Sequence, residues 1–181
     1  MKAIFTPLRL AVFFLMTAGL SGWSQGAIIW NGPSFSFNHA AGAGTSVQDH
    51  LTPNVWLTRG DTEGLFNVAT EGAYTHFFSP QNTEWAYGAL TDYASLGYAN
   101  WETWNGHRPP NMVDQPAVVH LISENIYLSL TFTSWGGVGG SYSYDRSTPS
   151  AVPEPSAWAL CGLSGLCALS VLVKSKRRAG V

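Results

Sequence analysis

The middle of this 181-residue chain contains no lysine and no cysteine. Lys2, Arg9, Lys174, Lys176, Arg177 and Arg178 stand at the two ends. That leaves Arg59, Arg108 and Arg146 between them, against all eleven acidic residues. Such a segment lacks the Lys and Arg that neutralise phosphates, which excludes nucleic acid as a partner. An anionic membrane surface would repel it. The two cysteines, Cys161 and Cys167, both sit in a C-terminal apolar run. The middle can therefore hold neither a disulfide framework nor a thiolate metal site. A body of about 120 residues must then rest on its hydrophobic core, and that length is sufficient. Charged residues are scarce, 11% against about 25% in an ordinary soluble domain. Aromatic residues are not: there are 8 Trp, 7 Tyr and 9 Phe. A disordered chain would show the opposite balance, and a long coiled coil would be dominated by Ala, Glu, Lys, Leu and Arg.

Motifs of catalysis are also missing. The five histidines, His39, His50, His76, His107 and His120, are widely spaced and form no HExxH or similar metal-ligand cluster. There is no GxSxG. The glycine run 136–140 lacks the Lys-Ser/Thr of a phosphate-cradling loop. Asp61, Glu63 and Asn67 near a turn offer oxygen ligands for calcium. Their spacing does not match a twelve-residue EF-hand loop, and solvated turn residues are the preferred reading. Glu71, Glu84, Glu102 and Glu124 are available for a glycosidase pair, but no motif surrounds them. The expectation is a protein that is not an enzyme and takes no cofactor.

The ends carry addresses. Residues 1–9 are short and basic, and residues 10–20 (LAVFFLMTAGL) form an apolar run of signal-peptide length. The run is too short to span a membrane. Ser24 and Gly26 occupy the small positions that a signal peptidase needs, so residues 1–26 read as a secretory signal peptide. At the other end, residues 157–173 (AWALCGLSGLCALSVLV) are uncharged. As a helix this run would be about 25 Å long, slightly short of a hydrocarbon core of about 30 Å. Trp158 suits the outer interface, and Lys174, Lys176, Arg177 and Arg178 suit the cytoplasmic side. The prediction is one transmembrane helix, equally suited to a transient anchor that is later removed. Just before it stand Val152, Pro153, Glu154, Pro155 and Ser156, where two prolines fix an extended backbone and leave the glutamate exposed.

This order of Pro-Glu-Pro, apolar span and basic tail resembles the PEP-CTERM protein-sorting signal of bacteria, over residues 151–178. The resemblance implies processing by an exosortase, a membrane-embedded transpeptidase-like enzyme, near residues 153–155; the signal-peptide pattern adds the secretion translocon and signal peptidase as expected partners. It implies a transient stay in the bacterial inner membrane, followed by the cell surface or extracellular matrix.

Residues 27–150 form the predicted extracellular body. Residues 34–38 (SFSFN), 55–58 (VWLT), 118–122 (VVHLI), 126–135 (IYLSLTFTSW) and 141–145 (SYSYD) are β-prone runs divided by Gly, Pro and Asn. The last two read as a hairpin turned by the glycines at 136–140. Residues 84–96 offer a turn of helix, and residues 100–116 read as a long ordered loop. The prediction is an all-β fold, an antiparallel β-sandwich or jelly-roll. The body also resembles small extracellular domains found ahead of this sorting signal, on residues 29–32, 79–86, 120–122, 126–135 and 142–149. That resemblance implies a fold and no activity.

Within the 100–116 loop, Trp101, Trp104 and Arg108 are candidate glycan-binding residues, since aromatic faces stack on sugar rings and loops on a rigid scaffold carry binding. The competing reading is that the tryptophans plug the end of the sandwich. His120, in an apolar strand, reads as a hydrogen-bonded structural histidine. The functional expectation is a non-catalytic structural or adhesive protein of the cell surface or matrix. The alternative is a carbohydrate-binding module in contact with extracellular polysaccharide, and a small glycan hydrolase ranks last.

Overall fold

The computed structural model describes residues 26–151. Apart from Gly26, the signal peptide expected at 1–26, the expected sorting motif at 152–156, the apolar run 157–173 and the basic tail lie outside the described residues. Among the described residues no helix is long and apolar enough to cross a membrane.

The fold is all-β. Among the described residues nine strands run in chain order: β1 (Ile28–Trp30), β2 (Ser34–His39), β3 (Asp49–Thr52), β4 (Val55–Arg59), β5 (Leu65–Asn67), β6 (Thr83–Tyr87), β7 (Ala117–Leu121), β8 (Ile126–Trp135) and β9 (Tyr142–Ser147). They make two sheets. The larger has the order β2-β9-β8-β7-β6, with β1 also on β8, and the smaller is β3-β4-β5. All neighbours are antiparallel except one. β1 lies parallel to β8, Ile28 opposite Ile126 and Trp30 opposite Leu128, which corrects the expectation of purely antiparallel pairing. β8 can take β1 there because it is ten residues long: β9 pairs only with its second half, from Leu130 to Trp135.

The period-2 pattern of β8 sets the core. Ile126, Leu128, Leu130 and Phe132 are buried while Tyr127, Ser129 and Thr131 are half-exposed. They join Val119 and Leu121 of β7, Trp85 of β6 and Tyr142 and Tyr144 of β9. From the smaller sheet come Leu51, Val55, Leu57 and Leu65, in the same cluster. One core thus serves both sheets. A buried ion pair also links them. Asp49 of β3 accepts from Arg146 Nε at 2.6 Å and Nη2 at 2.8 Å, and from the Tyr144 hydroxyl at 2.7 Å.

The hairpin of β8 and β9 forms as predicted, with a register shift between Phe132 and Ser134. In β2, Phe35 and Phe37 share a face, but only Phe37 enters the core. Phe35 lies beyond its edge, under the Arg146 guanidinium at 4.7 Å. Of the range 84–96, where a turn of helix was expected, residues 90–92 form one, a 3-10 turn at Leu90–Asp92; Glu84 itself lies in β6, whose Thr83 and Trp85 face inward beside β7. Conversely, the predicted 100–116 loop holds a short helix, α1 (Trp101–Trp104), started by the Asn100 side chain, which accepts from the Thr103 N–H. A 3-10 turn at Pro109–Met112 follows it.

Candidate functional site

At one end of the body, the end of β4, the end of β8 and the α1 segment enclose a cleft of about 470 Å³. That is the size range of small-ligand pockets. Each wall has a local cause. Arg59 ends β4 and is only 2% exposed. Its Nε donates to the Glu63 carbonyl at 2.9 Å, and its Nη1 to the carbonyls of Gly136 at 2.9 Å and Ser141 at 3.3 Å. The guanidinium carbon lies 3.9 Å from the centre of the Trp135 ring, a cation-π contact made stronger by desolvation. Burial lowers the pKa of Arg59, and the nearby Tyr142 opposes that shift. Arg59 has no acidic ion-pair partner among the described residues, so backbone carbonyls and an aromatic face carry its charge.

Opposite stands Glu102 on α1, 5% exposed. Its carboxylate accepts from the Tyr74 hydroxyl and lies 3.6 Å from Nδ1 of His107. Burial, and then the bond to Glu102, push the Tyr74 phenol well above its ordinary range, so it stays a donor. Gly64 lets these groups close up: a Cβ there would stand 2.5 Å from the Tyr74 ring and 2.7 Å from Trp101.

Two residues at this end stand in left-handed backbone, His107 of the cleft lining at φ 58° and Phe77, which contacts it, at φ 70°. Their rings meet edge to face at 5.7 Å. A bulky aromatic residue rarely adopts that conformation, and strain of this kind gathers at functional sites. The turn after β8 forms the other side of the rim. Gly140, at φ +71°, is pressed so close to the Gly60 carbonyl that a Cβ would come within 2.4 Å of it. Val138, at the tip, is 91% exposed.

Of the sequence-predicted residues, Trp101 and Trp104 are core residues. Trp101 is 0% and Trp104 8% exposed. Trp104 packs against Trp85 at 5.3 Å and Tyr87 at 4.7 Å, and Trp101 against Trp135 at 5.5 Å. This is the packing arrangement, although Trp101 also contributes to the cleft floor. Arg108 is exposed and outside the cleft lining. The three do not form one stacking platform. Of the calcium candidates, Asn67 is spent. Its Oδ1 accepts from the N–H groups of Trp56 and Ala69, and its Nδ2 donates to the carbonyls of Asn54 and Gln81. Asp61 and Glu63 are exposed. Among the described residues no three His, Cys, Asp or Glu side chains group to hold a metal. His120 is hydrogen-bonded, Nδ1 to Glu84 at 2.7 Å, and stacks on Tyr127 at 4.1 Å.

Sequence reasoning missed Arg59, Tyr74 and Trp135 as site residues. A faint signal existed for Arg59: it is one of three cations in a long acidic segment, and it ends a β-prone run. Comparison with protein-family models, with curated proteins and with solved structures gave no match.

Proposed function

We propose that this chain is an exported, non-catalytic protein of the bacterial cell surface or extracellular matrix, delivered by the tripartite signal at its C-terminus. The observation that carries this reading is that signal: Val152, Pro153, Glu154, Pro155 and Ser156, then the apolar run 157–173, then Lys174, Lys176, Arg177 and Arg178, in a chain that opens with a signal-peptide pattern. The partners are the secretion translocon, signal peptidase and an exosortase-type enzyme. The exported body is a sandwich of two unequal sheets, of jelly-roll-like character, held in the membrane by a single helix until processing.

Intact mass spectrometry of the mature protein from its host tests the reading, with Glu154→Ala as comparison. The expected product ends near residues 153–155, and the substitution abolishes that ending. A mass that runs through Val181 in both proteins overturns processing.

A carbohydrate-binding role is the second reading, and one observation favours it. The cleft combines aromatic walls with fixed hydrogen-bonding groups, the usual make-up of a small-ligand site. Glu102, tied to Tyr74 and beside His107, suits a binding group held in one geometry. This moves the candidate contacts from Trp104 and Arg108 to the cleft.

A further inference from the structure

The donors and acceptors around the cleft do not balance. Arg59 spends Nε and Nη1 on three backbone carbonyls, while Nη2 has no hydrogen-bond partner among the described residues. A guanidinium cannot shed its charge, and Arg59 lines the cleft, so Nη2 is a charged donor free to meet a ligand there. Glu102 has spare acceptor capacity, because a carboxylate offers about four lone-pair sites and, among the described residues, Tyr74 and His107 alone address it. Glu63, exposed at the mouth, adds a second carboxylate. Tyr74 and Trp135, both half-buried, line the cleft and contribute aromatic surface to it.

Each ligand class meets this set differently. An apolar ligand would leave Arg59 Nη2 unmet and strip water from Glu102. A cation would face the guanidinium. A polyanion would face Glu63 and Glu102, and beyond them a body with three arginines against ten acids over residues 26–151. A hydroxyl group donates and accepts at once, so a neutral polyhydroxylated ring can meet both kinds of group and lay its apolar face on an aromatic wall.

Resting on the surface-protein reading above and naming its ligand, we propose that the cleft binds a neutral hexose unit of a polysaccharide. Arg59 Nη2 donates to one ring hydroxyl, Glu102 and Glu63 accept from others, and Tyr74 and Trp135 form the apolar walls.

The test is isothermal titration calorimetry of the full chain in detergent. The probes are neutral gluco-, manno- and galacto-oligosaccharides, with oligogalacturonate as the acidic comparison. The expected result is binding of at least one neutral oligomer, unchanged between low and high salt, with weaker or no binding of oligogalacturonate. Trp135→Ala should weaken affinity about tenfold or more, and Tyr93→Ala, outside the cleft lining, should leave it unchanged. Trp135 is half-buried and packs against the core, so Glu63→Ala, an exposed position, serves as a second variant with no packing role; several-fold weakening is expected. The proposal is overturned by no heat with any neutral oligomer, by tighter binding of oligogalacturonate, or by unchanged affinity in both variants. A processed C-terminus together with an inert cleft would sink this inference and leave the sorting reading intact. Sugar binding by an unprocessed chain would do the reverse.

Discussion

Glu124 sits in the turn between β7 and β8 and acts as a clasp between the sheets. Its Oε1 accepts from the Thr52 hydroxyl and the Asn54 side-chain amide, both at 2.8 Å. Its Oε2 accepts from the Asn82 amide at 3.0 Å and the Ser123 hydroxyl at 2.6 Å. Thr52 and Asn54 belong to the β3–β4 hairpin of the smaller sheet, whereas Asn82 and Ser123 flank the larger. Burial raises the carboxyl pKa, but these four donors outweigh it and bring the pKa down to about 2 from 4.5. The folded value lies below the unfolded one. The contribution to stability is therefore complete above about pH 4.5 and is lost as pH falls toward 2. Taken alone the shift corresponds to about 3 kcal/mol. Glu124 is half-buried and its donors are partly wet, so solvent screening reduces that to about 1–2 kcal/mol. Glu124→Gln keeps the shape and removes the charge. Urea titrations of parent and variant, at neutral pH and near pH 2, measure the effect. At neutral pH the variant midpoint should fall by about 1 M, given a slope of about 1–2 kcal/mol/M. Near pH 2 the two curves should coincide, since the other carboxylates titrate alike in both proteins. An equal gap at both pH values, or none at neutral pH, would refute the clasp.

Further outcomes follow from the same geometry. Asp49→Ala strands the Arg146 guanidinium in the core and should cost about 3–5 kcal/mol, read from chemical denaturation; a loss below about 1 kcal/mol would show that the pair holds nothing together. Gly64→Ala forces a methyl group into the Tyr74 and Trp101 rings. It should destabilise by about 1–3 kcal/mol and disturb the cleft, visible as a changed near-ultraviolet circular dichroism spectrum. An unchanged spectrum and midpoint would mean the floor is less tightly packed than the distances indicate.

The longer strands were legible in the chain. The alternation of 126–135 has the buried face assigned to it, and the runs at 34–38, 55–58, 118–122 and 141–145 each lie within or largely overlap a strand. The strands β1, β3, β5 and β6 were not legible. They are three to five residues long, and β5 is buried at all three positions, so no period-2 signal exists to read. The parallel seat of β1 on β8 depends on where β9 stops pairing, which is a property of the sheet. The cleft was harder still. Tyr74, Glu102 and His107 meet only because α1 docks beside β6, and Arg59 becomes a buried cation only because the turn after β8 closes over it.

Composition and short-range pattern by themselves determined the all-β class, the lysine-free acidic character of the body, and the expectation of export and C-terminal sorting. Those properties live in residue type and local order, which folding does not alter. Tertiary structure alone decided that Trp101 and Trp104 pack inward, that Asp49 reaches Arg146 across the sheets, and that the Arg59 guanidinium lines a cleft. Each of these is a balance between groups distant in sequence. The same indole or guanidinium is surface or core according to which neighbours desolvate it, and only the assembled sheets supply those neighbours.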